Sequence, residues 1–136
     1  MKVVLDTNCL LVALPEKSPY RCVWDSFCQG KFSLFYSTEI LQEYEEVLLR
    51  YHSAHTVFLI MEKLLKLPNT ISNTPYYRWN FISADPDDNK FVDCALNAGA
   101  DCIVTNDKHF NVLKHIDFPR INVVDIGTFK TLISRL

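Results

Sequence analysis

Apolar residues along this chain fall into two alternating patterns. One is a short unbroken run closed by polar turn residues; the other is a stripe repeating every three or four positions. Val3-Val4-Leu5, stopped by Asp6-Thr7-Asn8, predicts a short buried strand. Cys9 to Leu14 predicts a short helix ended by Pro15. Ser18-Pro19 predicts the next helix start, with serine as the cap, proline at the first helical position and Gly30 as the stop. Cys22, Val23, Trp24 and Phe27 give that helix its apolar stripe. Phe32 to Tyr36 predicts a second strand. Ser37 or Thr38 then caps a helix reaching Tyr51, with Ile40, Leu41, Tyr44, Val47 and Leu48 inside.

The second half continues the alternation. Ala54 to Leu67 predicts a helix, Thr70 to Ser72 an extended segment, and Tyr76 to Ile82 an aromatic strand with Tyr77, Trp79 and Phe81 on its buried face. Ser83 to Asn89 is a turn that opens a helix with Phe91, Val92, Ala95 and Leu96 inside and Gly99 as its C-terminal stop. Asp101 to Thr105 predicts a buried strand ending at Asn106-Asp107. Phe110 to Leu113 is a helical turn, Ile121 to Val124 a last strand, and Asp125 the cap of a terminal helix. Strands alternating with helices imply an α/β fold with a mostly parallel sheet covered on both faces. A length of 136 residues suits one domain, 1–136, with one core.

Two of the predicted strands end in an acid, Asp6 and Asp107. As parallel neighbours they would bring both carboxylates to the carboxyl edge of the sheet, where ligands bind in open α/β folds. Asp88 falls in the first turn of the helix that feeds the second of these strands. Glu43 lies three residues after Ile40 and four before Val47, beside the buried stripe, whereas Glu45 and Glu46 face solvent. Capping alone would explain Asp6, and a plain helix-start role would explain Asp88. Gathering all four acids is costly. Two like charges about 4 Å apart repel by about 4 kcal/mol at an effective dielectric near about 20. A divalent cation, or proton uptake, has to relieve that repulsion. Carboxylates without His or Cys partners are hard oxygen ligands suited to Mg²⁺ or Mn²⁺.

Four segments now line up in order: Leu-Asp-Thr-Asn8, Ser37-Thr-Glu-Ile-Leu-Gln-Glu43, Asp85-Pro-Asp-Asp-Asn-Lys-Phe91 and Gly99-Ala-Asp-Cys-Ile-Val-Thr-Asn-Asp107. Together they resemble the PIN domain family, in the branch of toxin components of prokaryotic toxin–antitoxin systems. The resemblance implies a Rossmann-like three-layer α/β/α domain and a metal-dependent ribonuclease with one or two Mg²⁺ or Mn²⁺ ions. It maps the acidic ligands onto Asp6, Glu43, Asp88 and Asp107, and assisting polar positions onto Asn8 and Thr105. Glu39 competes with Glu43, and Asp85, Asp87 and Asp93 compete with Asp88. Spacing favours Glu43 and Asp88, with Asp85 a turn former before proline and Asp93 a surface charge. An RNA substrate, a cognate antitoxin and a homodimer are the partners the resemblance implies.

Charge and composition narrow the alternatives. Net charge is −2, so the chain lacks the basic excess of a general nucleic-acid coat and its function has to reside in a local site. Lys90, Lys108, Arg50 and Lys17 are candidate phosphate contacts, with a solvated role the default for each, and Arg78 is a further candidate RNA contact. The five cysteines are odd in number and show no CxxC spacing, which predicts reduced, packed thiols. His52, His55, His109 and His115 read as surface residues, although His109 follows Asp107 closely. With no spanning run and no signal peptide at the start, a cytoplasmic chain away from membranes is expected. Two rivals stand against a nuclease. A phosphatase with Asp6 as covalent nucleophile usually has a second Asp two residues on, where this chain has Asn8. The other is a catalytically degenerate scaffold that binds RNA or a protein.

Overall fold

A computed structural model describes all 136 residues. In chain order the elements are β1 (Lys2–Leu5), α1 (Thr7–Ala13), α2 (Arg21–Cys28), β2 (Ser33–Tyr36), α3 (Thr38–Tyr51), α4 (Ala54–Lys66) and β3 (Thr70–Ser72). A 3₁₀ turn (Pro86–Asp88) then leads into α5 (Asn89–Ala98) and β4 (Cys102–Val104). A 3₁₀ segment (Lys108–His115), β5 (Val123–Val124) and α6 (Ile126–Ile133) complete the chain.

All five strands are parallel, in the order β3-β2-β1-β4-β5. Val3, Val4 and Leu5 point alternately to opposite faces, yet all three are buried, as are Cys102, Ile103 and Val104. Both faces of the sheet are therefore covered, giving the three-layer α/β/α arrangement. Strand order runs one way from β1 to β3 and then jumps back to β4 on the other side of β1. That reversal opens a crevice beyond the carboxyl ends of β1 and β4.

Helix caps set where the layers join the sheet. Asp6 caps α1, Ser37 caps α3, Ser53 caps α4 and Asp125 caps α6. Gly99 closes α5 at φ +63, the left-handed geometry that a side chain resists. On α3 the buried stripe is Ile40, Tyr44 and Leu48. The Tyr44 ring is wholly buried, and its hydroxyl donates to the Leu5 carbonyl at the end of β1. That bond locks the first turns of α3 against the strand end that presents Asp6.

Three expectations change. Helix α2 begins at Arg21, because Ser18 instead builds a turn that accepts from the Tyr20 amide at 3.1 Å. Residues 76 to 82 form no strand. Asn80 takes a left-handed φ of 53, which breaks the extended run, and Tyr76 and Tyr77 are exposed. Tyr77, Trp79 and Phe81 do stack, with centroids 4.6 and 5.6 Å apart, but only Ile82 of this segment is buried. Asp93 is buried rather than a surface charge, and it accepts from the Trp79 amide at 3.0 Å. Its carboxylate thus replaces the missing sheet pairing as the anchor of that loop. All five cysteines are free thiols, and no helix is long and apolar enough to cross a membrane.

Candidate active site

Asp6 leaves β1 at the reversal point and is buried. Its amide still donates to the Val104 carbonyl at 2.9 Å, so the ladder holds it directly beside β4. One carboxylate oxygen accepts from the Thr7 amide at 2.8 Å and the other from the Thr105 hydroxyl at 2.7 Å. Thr105 in turn accepts from the Asp107 amide at 3.0 Å. One hydroxyl therefore ties the acid ending β1 to the acid following β4. The capping role of Asp6 is real, and it coexists with this second set of contacts.

Glu43 arrives from α3, one turn after the Ser37 cap and next to the anchored Tyr44. Both of its oxygens are engaged. One accepts from the Thr7 hydroxyl. The other lies 2.8 Å from the Lys90 ammonium, which also sits 3.0 Å from Asp87. Lys90 is neither solvated nor free for a phosphate, since its side chain is only 8% exposed. Burial pushes this ammonium down, but pairing with Glu43 and Asp87 outweighs that and leaves it raised and charged.

Asp88, Asp107 and His109 form the opposite side. The His109 ring nitrogen Nδ1 lies 3.5 Å from an oxygen of each acid. Asp107 also caps the 3₁₀ segment, accepting from the His109 amide at 2.9 Å. Asp88 keeps one buried oxygen with no hydrogen-bond partner. Its carboxyl is pushed up to about 7, first by burial, then by the charges of Asp85, Asp107 and Asp6, with the His109 ring offsetting part of the rise. Burial also raises Asp6; the bonds from Thr105 and Thr7 offset part of the rise, and Glu43 and Asp107 add to it. Ligand atoms of Asp85, Asp88 and His109 lie within 4.8 Å of one another. Asp85 does form a turn, accepting from the Asp87 amide at 3.2 Å.

The fold thus brings Asp6, Glu43, Asp88 and Asp107 into one electrostatic neighbourhood, with Thr105 linking Asp6 to Asp107. Asn8 is exposed on α1 and Lys108 is exposed after Asp107. Arg78 reaches Glu39 at 3.5 Å across the surface. Beyond Lys90 a polar groove of about 470 Å³ opens, with Ser37, Thr38, Asn73, Asn80 and Arg78 among its walls and no hydrophobic lining residue. Sequence reasoning missed Thr7 and the burial of Lys90. The spacing of Asp87 three residues before Lys90 signals an ion pair on one helical face, but the burial of Lys90 depends on Glu43 arriving from α3 and has no local signal.

A divalent ion fits this residue set. The donors are mainly carboxylate oxygens with the His109 ring beside them, several negative charges lie close together, and a buried Asp88 oxygen makes no hydrogen bond.

Comparison with known proteins follows the same outline. The chain resembles a chain in the crystal structure of VapBC2 from Rickettsia felis bound to a DNA fragment from their promoter. The TM-score is 0.59 and the identity 18%, over 92% of this chain and 98% of that one. At that identity the likeness speaks for the fold. No curated protein sequence matches the chain. The family model described as PIN domain matches residues 2–109, a span that takes in all four acids at the strand-order reversal. With more than three-quarters of its length under that match, the chain belongs to the PIN domain family.

Proposed function

We propose that this chain is a Mg²⁺- or Mn²⁺-dependent endoribonuclease acting on single-stranded RNA, of the toxin type. The observation that carries the reading is the buried Asp88 oxygen that makes no hydrogen bond, with only the His109 ring nitrogen 3.5 Å away, beside the charges of Asp85, Asp107 and Asp6. Asp6, Asp88 and Asp107 hold the ion, and Glu43 completes the acidic set. When bound, Mg²⁺ or Mn²⁺ supplies Lewis-acid polarisation of a phosphodiester and an activated water.

The chain's own residues do the rest. Thr105 and the Thr7 amide fix the Asp6 carboxylate so that it needs no reorientation. Thr105 also holds the Asp107 backbone, keeping the spacing of the two acids constant. Burial around Asp6 limits competing water. The polar groove beyond Lys90 offers hydroxyls and amides along which a single strand can lie, with Arg78 at its rim. No side-chain nucleophile is required. The likeness to VapBC2 supports an antitoxin protein as partner.

Cleavage of single-stranded RNA in the presence of Mn²⁺ is the test. Asp6→Asn lowers the rate by roughly 10²–10³-fold, and a chelator abolishes cleavage by the parent chain. Equal cleavage by Asp6→Asn rejects the assignment.

A further inference from the structure

We infer that Lys90 is a resident cation of the acidic site, giving Glu43 and Asp87 the positive charge that a second divalent ion would supply, so that the chain takes one divalent ion and Glu43 does not ligate it. This rests on the metal-dependent reading above. An ammonium bridging two carboxylates, at 2.8 Å from Glu43 and 3.0 Å from Asp87, does the work of a metal ion at that position. The second Glu43 oxygen accepts from the Thr7 hydroxyl, so Glu43 already has a cationic partner, whereas the Asp6 oxygens accept only from the neutral Thr7 amide and Thr105 hydroxyl. On the other side of the site, a buried Asp88 oxygen makes no hydrogen bond and has only the His109 ring nitrogen beside it, at 3.5 Å. The crevice is thus divided into a neutralised half and an unfilled half.

The ammonium is held in place by the fold. Lys90 is the second residue of α5, whose start is clamped by the Asn89 side chain. That amide accepts from the Ile82 amide at 2.9 Å and donates to the carbonyls of Ile82 at 2.8 Å and Pro86 at 3.1 Å. Phe91 is fully buried behind it, and the Lys90 ammonium lies 5.6 Å from that ring. The lysine stem therefore leaves the helix in one direction only, toward Glu43. Lys90 shares its one positive charge between Glu43 and Asp87, and a single divalent ion would offset two of the negative charges of Asp6, Asp88 and Asp107, with Asp85 alongside them.

Mn²⁺ stoichiometry, read by calorimetry and by electron paramagnetic resonance on the full chain, tests this. The parent chain binds one ion. Lys90→Met, which keeps the stem and removes the charge, binds a second ion; Lys90→Arg stays at one. Glu43→Gln weakens Mn²⁺ binding by about tenfold, in the range of an outer-shell partner, whereas Asp88→Asn removes saturable binding. Two ions on the parent chain, or a loss in Glu43→Gln equal to that in Asp88→Asn, overturns the inference while leaving the metal-dependent reading standing. No Mn²⁺ binding by the parent chain overturns both. If Lys90→Met does not fold, the parent stoichiometry and the Glu43→Gln and Asp88→Asn pair decide the matter alone.

Discussion

The two halves of the acidic crevice are built on opposite principles. On the α3 side every polar atom has a partner: Glu43 is held by Thr7 and Lys90, and Lys90 by Glu43 and Asp87. On the β4 side one Asp88 oxygen makes no hydrogen bond and has only the His109 ring nitrogen at 3.5 Å, and its other neighbours are acids that raise its proton affinity. Removing one partner of a buried ion pair is costly, because it strands the other charge. An unsatisfied buried carboxyl costs stability as long as nothing fills the gap. The same negative charge is therefore stabilising on one side and destabilising on the other, and removing an acid should change sign between them.

The largest effect falls on the satisfied side. Glu43→Ala leaves a nearly buried ammonium with only Asp87 as partner, and the metal-free chain loses about 3 kcal/mol of stability, read by urea unfolding. Lys90→Met alongside Glu43→Ala recovers part of that loss, because the stranded charge is gone. The comparison breaks if Glu43→Ala is neutral. Asp88→Asn should act the other way. A folded-state value of about 7 against an ordinary 3.8 means the folded chain binds the proton more tightly than the unfolded one. The stability this group contributes is full below about pH 4 and is lost as pH rises toward 7. Without metal, Asp88→Asn and the parent chain are equally stable near pH 4. The variant becomes the more stable by about 2 kcal/mol at pH 8, a figure scaled down for water reaching the crevice. Saturating Mn²⁺ raises the melting temperature of the parent chain and leaves that of Asp88→Asn unchanged.

Local pattern made most of this architecture legible in advance. Val3 to Leu5 and Cys102 to Val104 announce themselves as buried strands because both faces are covered and no polar residue interrupts them. The caps at Ser37 and Asp125 and the stop at Gly99 follow from side-chain and backbone chemistry within a few residues. The meeting of Asp6 with Thr105 follows from parallel pairing of β1 with β4. What escaped depends on contacts between distant segments. Lys90 looks like any helix-start lysine until α3 supplies Glu43. The aromatic alternation of 76 to 82 matches a strand, but no neighbouring strand is there to pair with it, and Asn80 turns the chain away. Asp93 looks like a surface acid because its partner is a backbone amide fourteen residues earlier.

That last contact gives the smallest predicted effect, and it bears on how the satisfied half is enclosed. Asp93 lines the polar groove together with Lys90, Asp87 and Arg78, and its carboxylate is the side-chain anchor of the Trp79 amide. Burial raises its carboxyl, and the Trp79 bond offsets part of that rise. Asp93→Asn keeps an acceptor of the same shape but gives up the charge that strengthens the bond, so global stability changes by about 1 kcal/mol or less. Amide hydrogen exchange is the sharper measurement. The Trp79 amide should exchange faster in Asp93→Asn, while the Tyr44 amide, on the α3 stripe that positions Glu43, should keep its rate. Unequal loosening of this kind would show that the groove wall moves independently of the acid pair behind it. Equal acceleration at both amides would mean that the loop and α3 open as one unit, and the division of the crevice into two separately built halves would fail.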